Sequence, residues 1–256
     1  MQKLKAGDAS PAFICRFDMK YLELSKRLQA IAAYVKQGSA VADIGTDHGY
    51  IPVYLAQNNI ARRIIAADIR KGPLARAQLS SVEYGVGDRI EFRLTDGLDG
   101  LQEAGLDTII IAGMGGETIA GILERAPWVL TENVRIILQP QSKLGTLSNW
   151  LDNNRYAIFD ETLVEEDGRF YAVLLAGAGS SRAPLSCAEI YADRILMEKR
   201  DPLLPGYLDM LIEKTRKTID GMEQARSGVR MDELIHHKRA LEGFIRMKEE
   251  TDTWQR

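Results

Sequence analysis

Between Ser39 and Asn153 the chain alternates short apolar runs with helical patterns, and beyond residue 155 the alternation stops. Ala40–Asp43, Ile64–Ala67, Ile90–Leu94, Thr108–Ala112 and Val134–Leu138 read as strands. Tyr50–Gln57, a helix opened by Lys71-Gly-Pro73, one running on to Leu123 and Lys143–Asn153 read as the helices between and after them. Runs this uniformly apolar belong to a parallel sheet covered on both faces. Tyr156–Val164 and Phe170–Leu175, joined only by Glu165-Glu-Asp-Gly168 and Arg169, make an antiparallel hairpin, because so short a link leaves no room for a crossover. A nicotinamide-binding sheet would continue with another parallel strand instead.

That order, five parallel strands and a terminal antiparallel hairpin, is the α/β, Rossmann-like sheet of class I methyltransferases. Ahead of it, residues 1–20 read as a loose extension, and Leu24, Leu28, Ile31 and Val35 place a helix over Tyr21–Val35. Behind it, Gly177–Pro184 reads as a linker and Cys187–Lys199 as a helix. Helical spacing then resumes from Leu208 to Ala225 and from Met231 to Lys248, broken at Ser227-Gly228, which gives a coiled-coil-like helical hairpin. The expected division is an extension (1–20), a catalytic-type sheet domain (21–178) and a helical hairpin (185–256). The hairpin serves either as a stabilising or dimerising appendage or as a clamp for a large substrate.

Ser39-Ala-Val-Ala-Asp-Ile-Gly-Thr-Asp-His-Gly-Tyr50 reads as a buried strand, a glycine turn and a helix start. Asp43 closes the strand, and Asp68, followed by Ile69, closes the next one, where an acid accepts hydrogen bonds from ribose hydroxyls. The turn is not GxGxxG: Asp47 follows Gly45 and Thr46 where a dinucleotide site would carry glycine, and its charge repels a pyrophosphate. The same charge suits S-adenosylmethionine, which carries an ammonium and a sulfonium; read structurally, Asp47 is instead the N-cap of the following helix. Asp96-Gly97 stands where a nucleoside base would be held, unless it is a plain turn. Ala112-Gly113-Met114-Gly115-Gly116 leaves room beside the topological switch point, with Met114 either lining the site or packing.

The formal charge of −3 excludes broad electrostatic binding of nucleic acid, so any RNA contact is local. Cys15 and Cys187 stand alone, as free thiols of a reducing cytoplasm do, and His48 is remote from His236-His237, so no metal site is implied. No apolar run reaches membrane-spanning length, and no signal-peptide core is legible.

Leu24-Ser-x-Arg-Leu28, Ala42-Asp-Ile-Gly-Thr-Asp-His-Gly-Tyr-Ile-Pro52, Gly72-Pro73, Asp96-Gly-Leu98, Ile111-Ala-Gly-Met-Gly-Gly116, Leu138-Gln-Pro140 and Asn154-x-Tyr156 together resemble the bacterial tRNA (adenine-N1)-methyltransferase family TrmK. The match runs from about Leu24 to Leu175, and the helical hairpin fits the family's C-terminal extension. The chain departs from it at Gln141, where the family often has Asn. The resemblance implies S-adenosyl-L-methionine as cofactor and the D-arm adenine at position 22 of tRNA as acceptor. Asp47, His48, Tyr50 and Gln139 are the candidates around the base, with Arg27 holding a phosphate or ordering the site. A monomer or weak homodimer in the cytoplasm is expected. A small-molecule N-methyltransferase, or a tRNA-binding factor that holds the cofactor without catalysis, remain the alternatives.

Overall fold

The computed structural model describes residues 20–180, 183–225 and 230–254. Residues 1–19 of the expected extension (1–20) and the turn at Ser227-Gly228 lie outside them, as does part of the linker.

The seven strands are β1 (Ser39–Ile44), β2 (Ala61–Asp68), β3 (Glu91–Leu94), β4 (Thr108–Gly115), β5 (Arg135–Ser142), β6 (Tyr156–Glu166) and β7 (Arg169–Ala178). They form one sheet in the order β3-β2-β1-β4-β5-β7-β6. Only β7 opposes the rest: it pairs antiparallel with both β5 and β6, as its two-residue connection to β6 requires. Asp167 (φ 52°) and Gly168 (φ 69°) both occupy the left-handed region, the backbone of a tight primed turn that matches strand twist. The alternation expected from sequence is borne out, and the chain reverses direction across the sheet between β1 and β4.

Helices α1 (Lys26–Ala33) and α2 (Tyr50–Gln57) cover one face of the sheet. Helices α4 (Gly116–Glu124) and α5 (Leu144–Asn153) cover the other, and α3 (Lys71–Glu83) follows β2. The period of two sorts the core: Ile109 and Ile111 pack toward α4 and Ile110 toward α1 and α2, all three with no exposed surface. Burying each such side chain stabilises the sheet by about 1.5–3 kcal/mol.

Several boundaries differ from expectation. Helix α1 begins at Lys26 rather than Tyr21, because the preceding residues run extended: Ser25 has β-region dihedrals, and the Leu22 N–H donates to the Gln57 side chain at 3.0 Å. Strands β4 and β5 run on through Gly115 and Ser142, past Gln139-Pro140, with irregular register beside Gly113. Cys187–Lys199 is not one helix. Turns occupy 187–191, and Asp193, extended and accepting the Ile195 N–H at 3.0 Å, restarts the chain as the short α6 (Arg194–Glu198).

Helices α7 (Leu204–Gln224) and α8 (Met231–Thr251) pair as the expected hairpin. Leu208, Leu211, Ala240 and Phe244 pack with Leu163 and Ala172 of the β6–β7 strands, so the hairpin is seated on the end of the sheet. No described helix is long and apolar enough to cross a membrane.

Candidate active site

The turn after β1 is built by backbone. Gly45 and Thr46 N–H groups both donate to the Ala67 carbonyl, at 2.8 and 3.0 Å, which folds the turn over the end of β2. Gly49, at φ 69°, caps α2 with no side-chain hydrogen bond, so Asp47 is not the cap. A β-carbon at Gly49 would lie 2.9 Å from the Ala77 β-carbon, so α2 and α3 approach here only because the residue is glycine. Gly49→Ala combines left-handed strain with overpacking, a cost of about 3 kcal/mol. In thermal denaturation its Tm is expected about 6–12 °C below the wild type, and a Tm within a degree of it would show that the contact does not constrain the turn.

Above the C-terminal ends of β1, β2, β3 and β4 opens a cleft of about 1180 Å³. That is slightly more than one small ligand fills. Every residue nominated from the sequence lines it except Gln139, Gly115 and Gly116. Gly116 starts α4 against the Lys143 backbone, where a side chain has no room. Gln139 is fully buried behind the cleft wall: its Oε1 accepts from Arg27 Nη1 at 2.8 Å, and its Nε2 donates to the Pro140 carbonyl at 2.9 Å. Gln141, outside the nominated set, lines the cleft in its place.

Acids dominate the floor. Burial pushes the Asp43 carboxyl up to about 6, the Thr46 hydroxyl beside it opposes the shift, and the Asp68 charge adds to it. Among the described residues, buried Thr46 Oγ1 has no partner in good hydrogen-bond geometry. Asp68 is buried at the end of β2 and accepts the Arg70 N–H at 2.8 Å. Asp96, after β3, pairs with Arg125 at 3.1 Å, and Asp47, with φ 47°, pairs with Arg76 at 2.6 Å. The partners Arg70, Arg76 and Arg125 were not nominated from the sequence, since nothing in their local patterning marks them. At the rim the His48 and Tyr50 rings stack, with centroids 5.3 Å apart and planes 18° from parallel. The Met114 methyl lies against Gly45, where a side chain on that residue would displace it.

A buried acid ending β2, a glycine turn after β1 and an inserted antiparallel seventh strand define a class I methyltransferase, and a methyltransferase-domain family model matches residues 24–174. The Bacillus subtilis tRNA (adenine(22)-N(1))-methyltransferase is 44% identical over 165 residues, 64% of this chain and 69% of its own length. The chain belongs to that tRNA (adenine-N1)-methyltransferase family. The crystal structure of the B. subtilis m1A22 tRNA methyltransferase TrmK superposes with a TM-score of 0.73 at 33% identity, over 91% of this chain and 99% of that one. Streptococcus pneumoniae Sp1610, solved in complex with S-adenosyl-L-methionine, gives 0.72 at 29% identity over 88% of this chain and 100% of that one.

The residues fit that cofactor. Carboxylates along the floor complement a ligand that carries two positive charges and a ribose diol.

Proposed function

We propose that the chain methylates N1 of the adenine at position 22 in the D-arm of tRNA, acting in the cytoplasm as a monomer or weak homodimer. The observation that carries this reading is the continuity of the cleft: an acidic floor of nucleoside-binding form opens directly onto a rim bearing stacked aromatic rings and Arg27. Asp68 would hold the cofactor ribose, Asp96 and Gly97 its adenine, and Asp43, Thr46 and Asp47 its cationic amino-acid end. When bound, S-adenosyl-L-methionine supplies a methyl group made electrophilic by a sulfonium.

N1 of neutral adenine already carries a free lone pair, so no side chain has to remove a proton first. The protein's work is to orient the ring and to stabilise the positive charge that methylation leaves on it. Tyr50, backed by His48, presents an aromatic face against which an extruded adenine can stack. The carboxylates of Asp43 and Asp47 favour positive charge within the cleft. His48, half exposed, has its Nε2 3.7 Å from the Asp47 carboxylate and is placed to accept the proton that the exocyclic amine of the product gives up. His48→Ala is therefore expected to lower kcat about tenfold. An unaltered kcat would leave His48 a stacking partner only.

The test of the function uses methyl-labelled cofactor and unmodified tRNA, followed by nuclease digestion and mass spectrometry of the nucleosides. One-methyladenosine in the D-arm fragment is expected. Cofactor binding without incorporation into RNA would transfer the chain to the small-molecule or the binding-only reading.

A further inference from the structure

Arg27 is unusual among the cleft's cations. Arg70 and Arg125 in the cleft, and Arg76 beside it, each face an acid of the floor, whereas Arg27 is held from behind by groups outside the floor. It stands in the first turn of α1, with its side chain about four-fifths buried. Gln139 takes its Nη1, Glu166 lies 3.7 Å from its Nε, and its guanidinium carbon sits 5.5 Å from the centre of the Tyr171 ring. Among the described residues no group takes Nη2.

Glu166 belongs to neither the floor nor the rim. It is the last residue of β6, paired with Arg169 across the tight Asp167-Gly168 turn, so its position is set by the hairpin register. Its Oε1 accepts the Arg27 backbone N–H at 3.2 Å, one of the orphan donors at the start of α1. Partial burial works against the charge on this carboxyl, but the Arg27 and Lys26 N–H groups, the Ser25 hydroxyl and the Arg27 charge outweigh it and keep the pKa below the usual range. One carboxylate thus fixes both the helix end and the guanidinium that projects from it.

A guanidinium aimed at the reacting base would oppose the reaction, because the methylated ring is itself a cation. The fork of an arginine suits an anion with paired oxygens, and the anion every RNA brings beside a base is its own backbone phosphate. We propose that Arg27 grips the phosphate flanking the extruded adenine, and that Glu166 is the positioning residue that holds the guanidinium for it. The inference rests on the RNA reading above and names the contact that seats the RNA.

The experiment measures tRNA Kd, KM and kcat at several salt concentrations for the full chain, alongside cofactor Kd and Tm. Arg27→Ala is expected to raise Kd and KM for tRNA about tenfold and to reduce the salt slope by roughly one. Its cofactor Kd should be unchanged and its kcat at saturating tRNA within about threefold of wild type. Glu166→Gln, which keeps an acceptor for the helix N–H groups, should raise KM about threefold alone and not at all when Arg27 is already alanine. If Arg27→Ala fails to fold, Arg27→Lys, which keeps the charge and loses the fork, should raise KM about threefold. An unchanged salt slope, a loss confined to kcat, or a Glu166→Gln effect that persists in full without Arg27 would each overturn the proposal. Wild-type protein that neither binds nor methylates tRNA would remove the RNA reading itself. Wild-type methylation with an unaffected Arg27→Ala slope would remove only the phosphate contact.

Discussion

Asp68→Ala is expected to weaken binding of S-adenosyl-L-methionine about a hundredfold in isothermal titration calorimetry. The carboxylate is 4% exposed at the end of β2 and is aligned by the Arg70 N–H on one oxygen. Among the described residues nothing donates to its other oxygen, which leaves that acceptor for the vicinal hydroxyls of a ribose. Hydrogen bonds to a charged acceptor are worth about 1.5–3 kcal/mol each, and losing about 3 kcal/mol is about a hundredfold in Kd. Asp68→Asn keeps one acceptor and should lose about tenfold. Because the side chain closes a strand without supporting the core, both variants should melt close to wild type. A Kd for Asp68→Ala within twofold of wild type would take this residue out of the cofactor site.

The fold was legible wherever one element's pattern depends only on its own residues. Thr108-Ile-Ile-Ile-Ala112 is apolar on both faces because helices cover both, and the short Glu165–Arg169 link allows only an antiparallel partner. The glycine turn and its acids were legible for the same reason: a strand end, a left-handed residue and a buried carboxylate are local demands. What the sequence hid is what forms across space. Arg76 reaches Asp47 and Arg125 reaches Asp96, each from 29 residues away, and neither arginine differs in local context from a solvated helix residue.

Gln139 and Gln141 show a different limit. In a regular strand both would face the same way, but the register shifts where β5 passes Gly113 and Met114, and only Gln141 comes to line the cleft. Pattern reading assumes an unbroken period of two, so a bulge inverts its answer. The turn-rich stretch at 187–191 escaped for a related reason. Its apolar spacing is helical, yet Asp193 is drawn away by tertiary contacts, its N–H donating to Glu161 at 2.8 Å.

That Glu161 contact carries the largest expected effect of pH on stability. Glu161 is 2% exposed at the joint between β6 and the helical hairpin. Its Oε2 accepts the Asp193 N–H, while its Oε1 is buried with no partner among the described residues. Burial pushes its carboxyl up to about 8; the Asp193 N–H opposes the shift, and the Asp193 and Asp201 charges, the latter from the chain just before α7, reinforce it. Lys199 faces the same group and lowers the value, but its Nζ is shared between Asp160, Thr162 and the Glu161 carbonyl. Tyr207 of α7 also faces the group, and burial and the Glu161 charge both raise its hydroxyl, so it stays neutral.

A carboxyl whose pKa is raised on folding favours the folded state fully below its unfolded value, and that contribution is lost as pH rises through about 8. Each pKa unit is worth about 1.4 kcal/mol, so the wild type should lose a few kcal/mol between pH 5 and pH 8 through this one group. Glu161→Gln keeps an acceptor for the Asp193 N–H, removes the titration and places an amide donor where Oε1 lacks a partner, facing Asp193 and Asp201. In calorimetric melts the variant should match wild type near pH 5 and exceed it at pH 8 by on the order of 5 °C. A variant that melts below wild type at pH 8 would mean that the native joint holds Glu161 as a stabilising anion, with Lys199 as its effective partner.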